Sequence, residues 1–124
     1  MVRIPGVVHD IQHVLADHTA LPPGVSWRLA EPGRQLDANV VNLAAGHTIE
    51  THAEPDLDVL VVILSGTGCV ETNGTTLTLT AGELLWLPRG STRKVTAGAR
   101  GLAYLTVHQR RSGLQIGFGP PSSG

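Results

Sequence analysis

Residues 46–66 read GHTIETHAEPDLDVLVVILSG, and after fifteen further residues 82–93 read GELLWLPRGSTR. The first stretch pairs a polar, histidine-containing segment with an unbroken apolar run at 59–64, the length of one buried strand. Within the polar segment His52 and Glu54 are two residues apart, so on a strand they share a face. Gly66 and Gly90 permit tight turns where a side chain would clash. Pro88 removes a backbone donor at a strand end, where the loss costs little.

Outward from these segments the chain alternates short strands with turn residues. A strand at 27–29 is followed by the turn Glu31-Pro32-Gly33-Arg34, then by a longer strand from Leu36 that is apolar on both faces in its second half. Gly66-Thr67-Gly68 reads as a turn, and Asn73-Gly74 as a type I′ hairpin joining 69–72 to 75–80. Ala81-Gly82, Pro88-Arg89-Gly90 and Ala97-Gly98 bound the remaining strands, the last at 102–107. Turn signals every ~8–12 residues predict an antiparallel sandwich or barrel. One helix is expected before it, at 10–17, closed by Leu21-Pro22-Pro23-Gly24. Its His9, His13 and Asp17 recur every four residues, a spacing that could hold a metal but that a solvated polar face explains better. The expected organisation is an N-terminal helical and extended arm (1–24), a barrel (25–111) and a C-terminal tail (112–124) loose at its end.

Composition narrows the function. With 41% hydrophobic and 15% charged residues the 124-residue chain can pack one core. Formal net charge is -1, and the only aromatic residues are Trp27, Trp86, Tyr104 and Phe118, too little for a nucleic-acid surface. No apolar run approaches the ~20 residues of a membrane span, and no signal-peptide pattern opens the chain. The single cysteine, Cys69, suits a reducing compartment, and a cytoplasmic location is the expectation. The acidic residues Glu54, Asp56 and Asp58 lack the glycine and downstream glutamate of a calcium-binding EF-hand loop.

The glycine, proline and histidine framework of the two segments resembles the paired signature motifs of the cupin family. Gly46 is followed after five residues by His52, and Gly66 closes the first motif, while Gly82, Pro88 and Gly90 match the second. The resemblance extends over about 35–107 and implies an all-β, cupin-type antiparallel barrel (a double-stranded β-helix or jelly roll) with a short N-terminal helix. It also implies a homodimer, for which the two-faced apolar strand at 39–44 could supply a contact. The positions that carry metal ligands in the family depart from the pattern. They hold His52, Glu54, Val59 and Arg93, where three histidines and a carboxylate are usual.

Four readings follow for the site. In a structural one, Glu54 and Arg93 pair and fill the place of the metal. In a second, iron, manganese or zinc still binds through His52 and Glu54, helped by His47, Asp58 or His108, and the resemblance implies a dioxygenase, isomerase or decarboxylase. In a third, Arg93 clamps the carboxylate or phosphate of an anionic small molecule, with Trp86 as an apolar wall if it faces inward, and His108 nearby. In a fourth, His52, Asp58 and Tyr104 perform metal-free acid–base chemistry of the sugar-epimerase kind. His52 and Tyr104 are the catalytic candidates. The expected function is a small-molecule-binding barrel with a degenerate metal site, the ligand being unidentified.

Overall fold

A computed structural model describes residues 4–111. Helix α1 (Gln12–Ala16) and a 3-10 turn (His18–Ala20) precede seven strands: β1 (Gly24–Arg28), β2 (Leu36–Leu43), β3 (Thr48–Ala53), β4 (Val59–Thr72), β5 (Thr75–Thr80), β6 (Leu84–Leu87) and β7 (Thr92–Gln109). All pairings are antiparallel, in the order β1-β2-β7-β4-β5, with β3 also on β7 and β6 also on β4. The expected all-β barrel with a short N-terminal helix is the observed architecture. The tail expected at 112–124 lies outside the described residues.

Two long strands bend to build this barrel. The first part of β4 pairs with β6, through Val59↔Leu87 and Val61↔Leu85, and its last part pairs with β5, through Thr67↔Thr80 to Thr72↔Thr75. Likewise β7 pairs first with β3 and then with β2. The sequence-based expectation of a turn at Gly66-Thr67-Gly68 and a break at Ala97-Gly98 is therefore corrected: both strands run on through these glycines. The physical reason is a close crossing at the bend. A Cβ on Gly66 would lie 2.2 Å from the Gly101 carbonyl oxygen, and one on Gly101 would lie 2.6 Å from that of Leu43. Both glycines have φ of +82°. The hairpin at Asn73-Gly74 is as expected, with φ of 47° and 79° suiting a type I′ turn.

Strand alternation sorts the apolar residues into two clusters. Val59, Val61, Ile63, Val70, Leu79, Leu87, Leu102 and Tyr104 point into the barrel. Val40, Leu64 and Ala103 point outward and are covered by Val14 of α1, with Ile11, Leu21 and Trp27 beside it. In the segment 39–44, expected to supply a dimer contact, Val40, Asn42 and Leu43 are buried by the chain itself, Asn39 and Val41 are half-buried and Ala44 is exposed. The helix is one short turn rather than the expected 10–17, because Asp17 leaves helical geometry and accepts from the Thr19 N–H at 2.9 Å. That removes Asp17 from the anticipated His9–His13–Asp17 row. His9 instead stacks on Trp27, ring centroids 5.0 Å apart, and meets the His13 ring edge-on at 6.0 Å.

His18 sits where the bends meet. It is 4% exposed, its Nδ1 is 2.7 Å from Ser65 Oγ, and its Nε2 is 2.8 Å from the Arg100 carbonyl oxygen. A carbonyl only accepts, so Nε2 carries a proton and donates. Side chains at Gly66 or Gly101 would also strike this ring.

Candidate functional site

The barrel interior holds a cavity of about 30 Å³ whose wall is mostly aliphatic: Val59, Val61 and Ile63 of β4, Leu79 of β5, Leu85 and Leu87 of β6, with Ile49 and Val95. Polar groups enter from one side only, His52 from β3 and Arg93, Tyr104 and Thr106 from β7. Ile49, His52, Tyr104 and Thr106 also line an adjoining depression of about 250 Å³ whose other walls include Pro23, Val25, Arg28, Val41 and His47. The alternation of β7 brings Tyr104 and Thr106 to the same face, and the β3–β7 register sets His52 directly opposite Arg93.

Arg93 is the unusual member. It is 2% exposed, and Nε, Nη1 and Nη2 are all buried without a hydrogen-bond partner among the described residues. Burial lowers its pKa from the ordinary arginine value, while the negative charge of Glu54 and the Tyr104 hydroxyl act the other way. Arginine keeps its proton in proteins, so this is a buried cation carrying a desolvation cost.

Glu54, 0% exposed, follows the end of β3 and forms an ion pair with Arg111. The anticipated direct Glu54–Arg93 pair is thereby corrected. Glu54 acts on Arg93 through its field, while its carboxylate bonds the guanidinium that the chain brings back after β7. Arg111 was not anticipated, and no local pattern in the sequence announces it.

His52 places Nδ1 3.0 Å from the Glu50 carbonyl oxygen and leaves Nε2 buried without a partner among the described residues. Thr106 Oγ1 is likewise unpartnered. Burial pushes the Tyr104 hydroxyl up to about 12, against the opposing charge of Arg93. Near neutral pH it is a hydrogen-bond donor and no base.

The other anticipated residues fall elsewhere. Trp86 is 57% exposed, because β6 turns Leu85 and Leu87 inward and leaves Leu84 and Trp86 on the outside, so it is not a wall of this cavity. His108 is buried and shares a face with Tyr104 and Thr106, but it is not among the residues lining this cavity, and its Nδ1 faces the Gln109 carbonyl oxygen at 2.8 Å. Asp58 turns to Arg89, accepting from its backbone N–H at 2.8 Å and from its guanidinium at 3.2 Å, which holds the Asp58 carboxyl below its ordinary pKa. No His52–Asp58 dyad forms, so the set needed for epimerase-like chemistry is not assembled.

The donor set does not suit a divalent metal. Arg93 stands opposite His52 in the β3–β7 pair and lines the same cavity, and its charge opposes a dication there. Glu54 is engaged by Arg111, and among the described residues no three His, Cys, Asp or Glu side chains come close enough together to hold an ion.

Fold and cavity together define a small antiparallel barrel with one polar side to an aliphatic interior. Residues 39–108 match the cupin domain family, more than half of the chain, and the protein belongs to that family. Solved structures of the same fold include KdgF from a Halomonas species, with 19% identity, a TM-score of 0.64, and 75% of this chain and 84% of that one covered. A Bacillus halodurans protein aligns with 17% identity, a TM-score of 0.68, and coverage of 88% and 83%. A cupin-2 domain protein from Shewanella frigidimarina aligns with 19% identity, a TM-score of 0.64, and coverage of 83% and 95%. At these identities the likeness is one of fold. No curated protein sequence matches the chain. Among the described residues no helix is long and apolar enough to cross a membrane.

Proposed function

We propose that this cupin binds a small organic anion inside its barrel, with Arg93 as the clamp and without a metal ion between protein and ligand. The observation that carries the reading is the Arg93 guanidinium, buried with none of its three nitrogens bonded to a described residue. A buried charge left in that condition costs several kcal/mol, and a carboxylate offers the planar, two-oxygen acceptor that a guanidinium fork matches. The cavity of about 30 Å³ has room for about one water, so the apolar body of the ligand would extend into the adjoining depression of about 250 Å³, which shares Ile49, His52, Tyr104 and Thr106 with it. The role in this reading is one of binding: Asp58 bonds Arg89, so the His52–Asp58 base of the epimerase-like alternative is not formed.

The test is thermal denaturation with isovalerate and with its neutral analogue isovaleramide. Saturation at 100 times Kd stabilises by about 2.7 kcal/mol, a readily measured rise in Tm. The rise is expected with the carboxylate, not with the amide, and not in Arg93→Met. An equal rise with the amide, or an undiminished rise in the variant, would remove Arg93 from the account.

A further inference from the structure

The polar groups left without partners in the cavity are of opposite kinds, and their placement narrows what can satisfy them. Arg93 offers only donors and a positive charge. His52 offers the reverse. Its Nδ1 faces the Glu50 carbonyl oxygen, which can only accept, so Nδ1 carries the proton. In the neutral ring Nε2 is then a bare lone pair, buried and unpartnered among the described residues. Residues directly opposite in an antiparallel pair have Cβ atoms about 4.5–5.5 Å apart, so the acceptor and the cation share one small region.

We infer that the ligand is a small aliphatic α-hydroxycarboxylate, its carboxylate on Arg93 and its α-hydroxyl donating to His52 Nε2. This inference rests on the anion-binding reading and sharpens it. A simple carboxylate satisfies the guanidinium but leaves the imidazole lone pair buried and unmet. An α-keto acid turns an oxygen lone pair toward that of the imidazole. An α-amino acid supplies a donor, but its ammonium brings a second cation beside Arg93 and cancels the charge that the site needs. The hydroxy acid presents one negative charge and one neutral donor, adjacent to each other. Thr106 Oγ1, unpartnered on the same wall, can donate to the second carboxylate oxygen. A branched alkyl group would rest on Val25, Val41 and Leu43 in the adjoining depression, which His52 and Thr106 also line.

Calorimetric titration of the intact protein with α-hydroxyisovalerate, isovalerate, α-ketoisovalerate and valine tests this. One enantiomer of the hydroxy acid is expected to bind at least about tenfold tighter than isovalerate, the difference a buried, unmet acceptor makes. The keto acid and valine should bind no better than isovalerate. In His52→Leu the preference for the hydroxyl should fall to near unity, while isovalerate still binds. Equal affinity for isovalerate and the hydroxy acid in the wild type overturns the inference and leaves the anion reading standing, and needs no folded variant. A preference that survives in His52→Leu also overturns it. Failure of all the carboxylates to bind overturns the anion reading and this inference together.

Discussion

His18 packs against the bends of the barrel and His52 lines its cavity, yet one has both ring nitrogens engaged and the other only one. Around His18 the chain has closed every account of its own: Ser65 Oγ and the Arg100 carbonyl meet the ring, and Gly66 and Gly101 leave room for it. Around His52 the chain stops short, with Nε2, the whole Arg93 guanidinium and Thr106 Oγ1 buried without partners among the described residues. Two arginines repeat the contrast, since Arg111 ends on the carboxylate of Glu54 while Arg93 ends on no described group. Buried polar groups are almost always hydrogen-bonded, so a satisfied cluster marks architecture, and an unsatisfied one that lines a cavity marks a place for something else.

Substitutions should separate the two regions. The largest effect is expected at the architectural end. Gly66→Ala forces a Cβ against the Gly101 carbonyl at positive φ and should destabilise by about 4 kcal/mol or prevent folding, read by urea denaturation. His18→Ala strands a buried carbonyl and opens a void, and should cost about 3 kcal/mol while leaving ligand preference unchanged in the molecules that fold. An unchanged stability in either variant would erase the contrast.

At the cavity end, Tyr104 gives a pH-dependent readout. Its folded pKa is raised to about 12 from an ordinary 10.0, so between those values the unfolded chain has lost a proton that the folded one keeps. The associated stability is fully present below pH 10 and is lost as pH rises toward 12, about 2–3 kcal/mol in all. Tyr104 is the only tyrosine, so tyrosinate absorbance follows it directly. A midpoint near 10 in the native protein would mean that the cavity is wet. The smallest effect is expected outside both regions: Trp86→Ala, on the solvent face of β6, should shift stability by about 0.5 kcal/mol or less and leave binding intact.

Much of the fold was legible because its signals are local. Gly46, Gly82, Pro88 and Gly90 mark places where backbone geometry admits few residues, and Asn73-Gly74 specifies its turn within two positions. Gly66 was read as a turn because a glycine signals freedom without saying how the chain uses it. The deciding partner, Gly101, is distant in sequence. His52 was legible as a match to a familiar motif and Arg93 as a departure from it, but their opposition across β3 and β7 was not. Trp86 could not be oriented because Leu84-Leu85-Trp86-Leu87 is apolar on both faces and carries no alternation. Glu54 was read as a metal ligand or a partner of Arg93, and its ion-pair partner Arg111 follows a strand that begins far from it in sequence.

The central claim is that Arg93 is a buried cation whose partner comes from outside the described chain. The most direct measurement is urea unfolding of the wild type and of Arg93→Met, each without added anion and with saturating isovalerate. The account predicts a crossing. Without the anion Arg93→Met is at least as stable as the wild type, because a buried charge with no hydrogen-bonded partner among the described residues has been replaced by an apolar side chain of similar length. With the anion the wild type becomes the more stable of the two. An Arg93→Met variant less stable by several kcal/mol under both conditions would show that the guanidinium already has its partner within the protein, and would contradict the account.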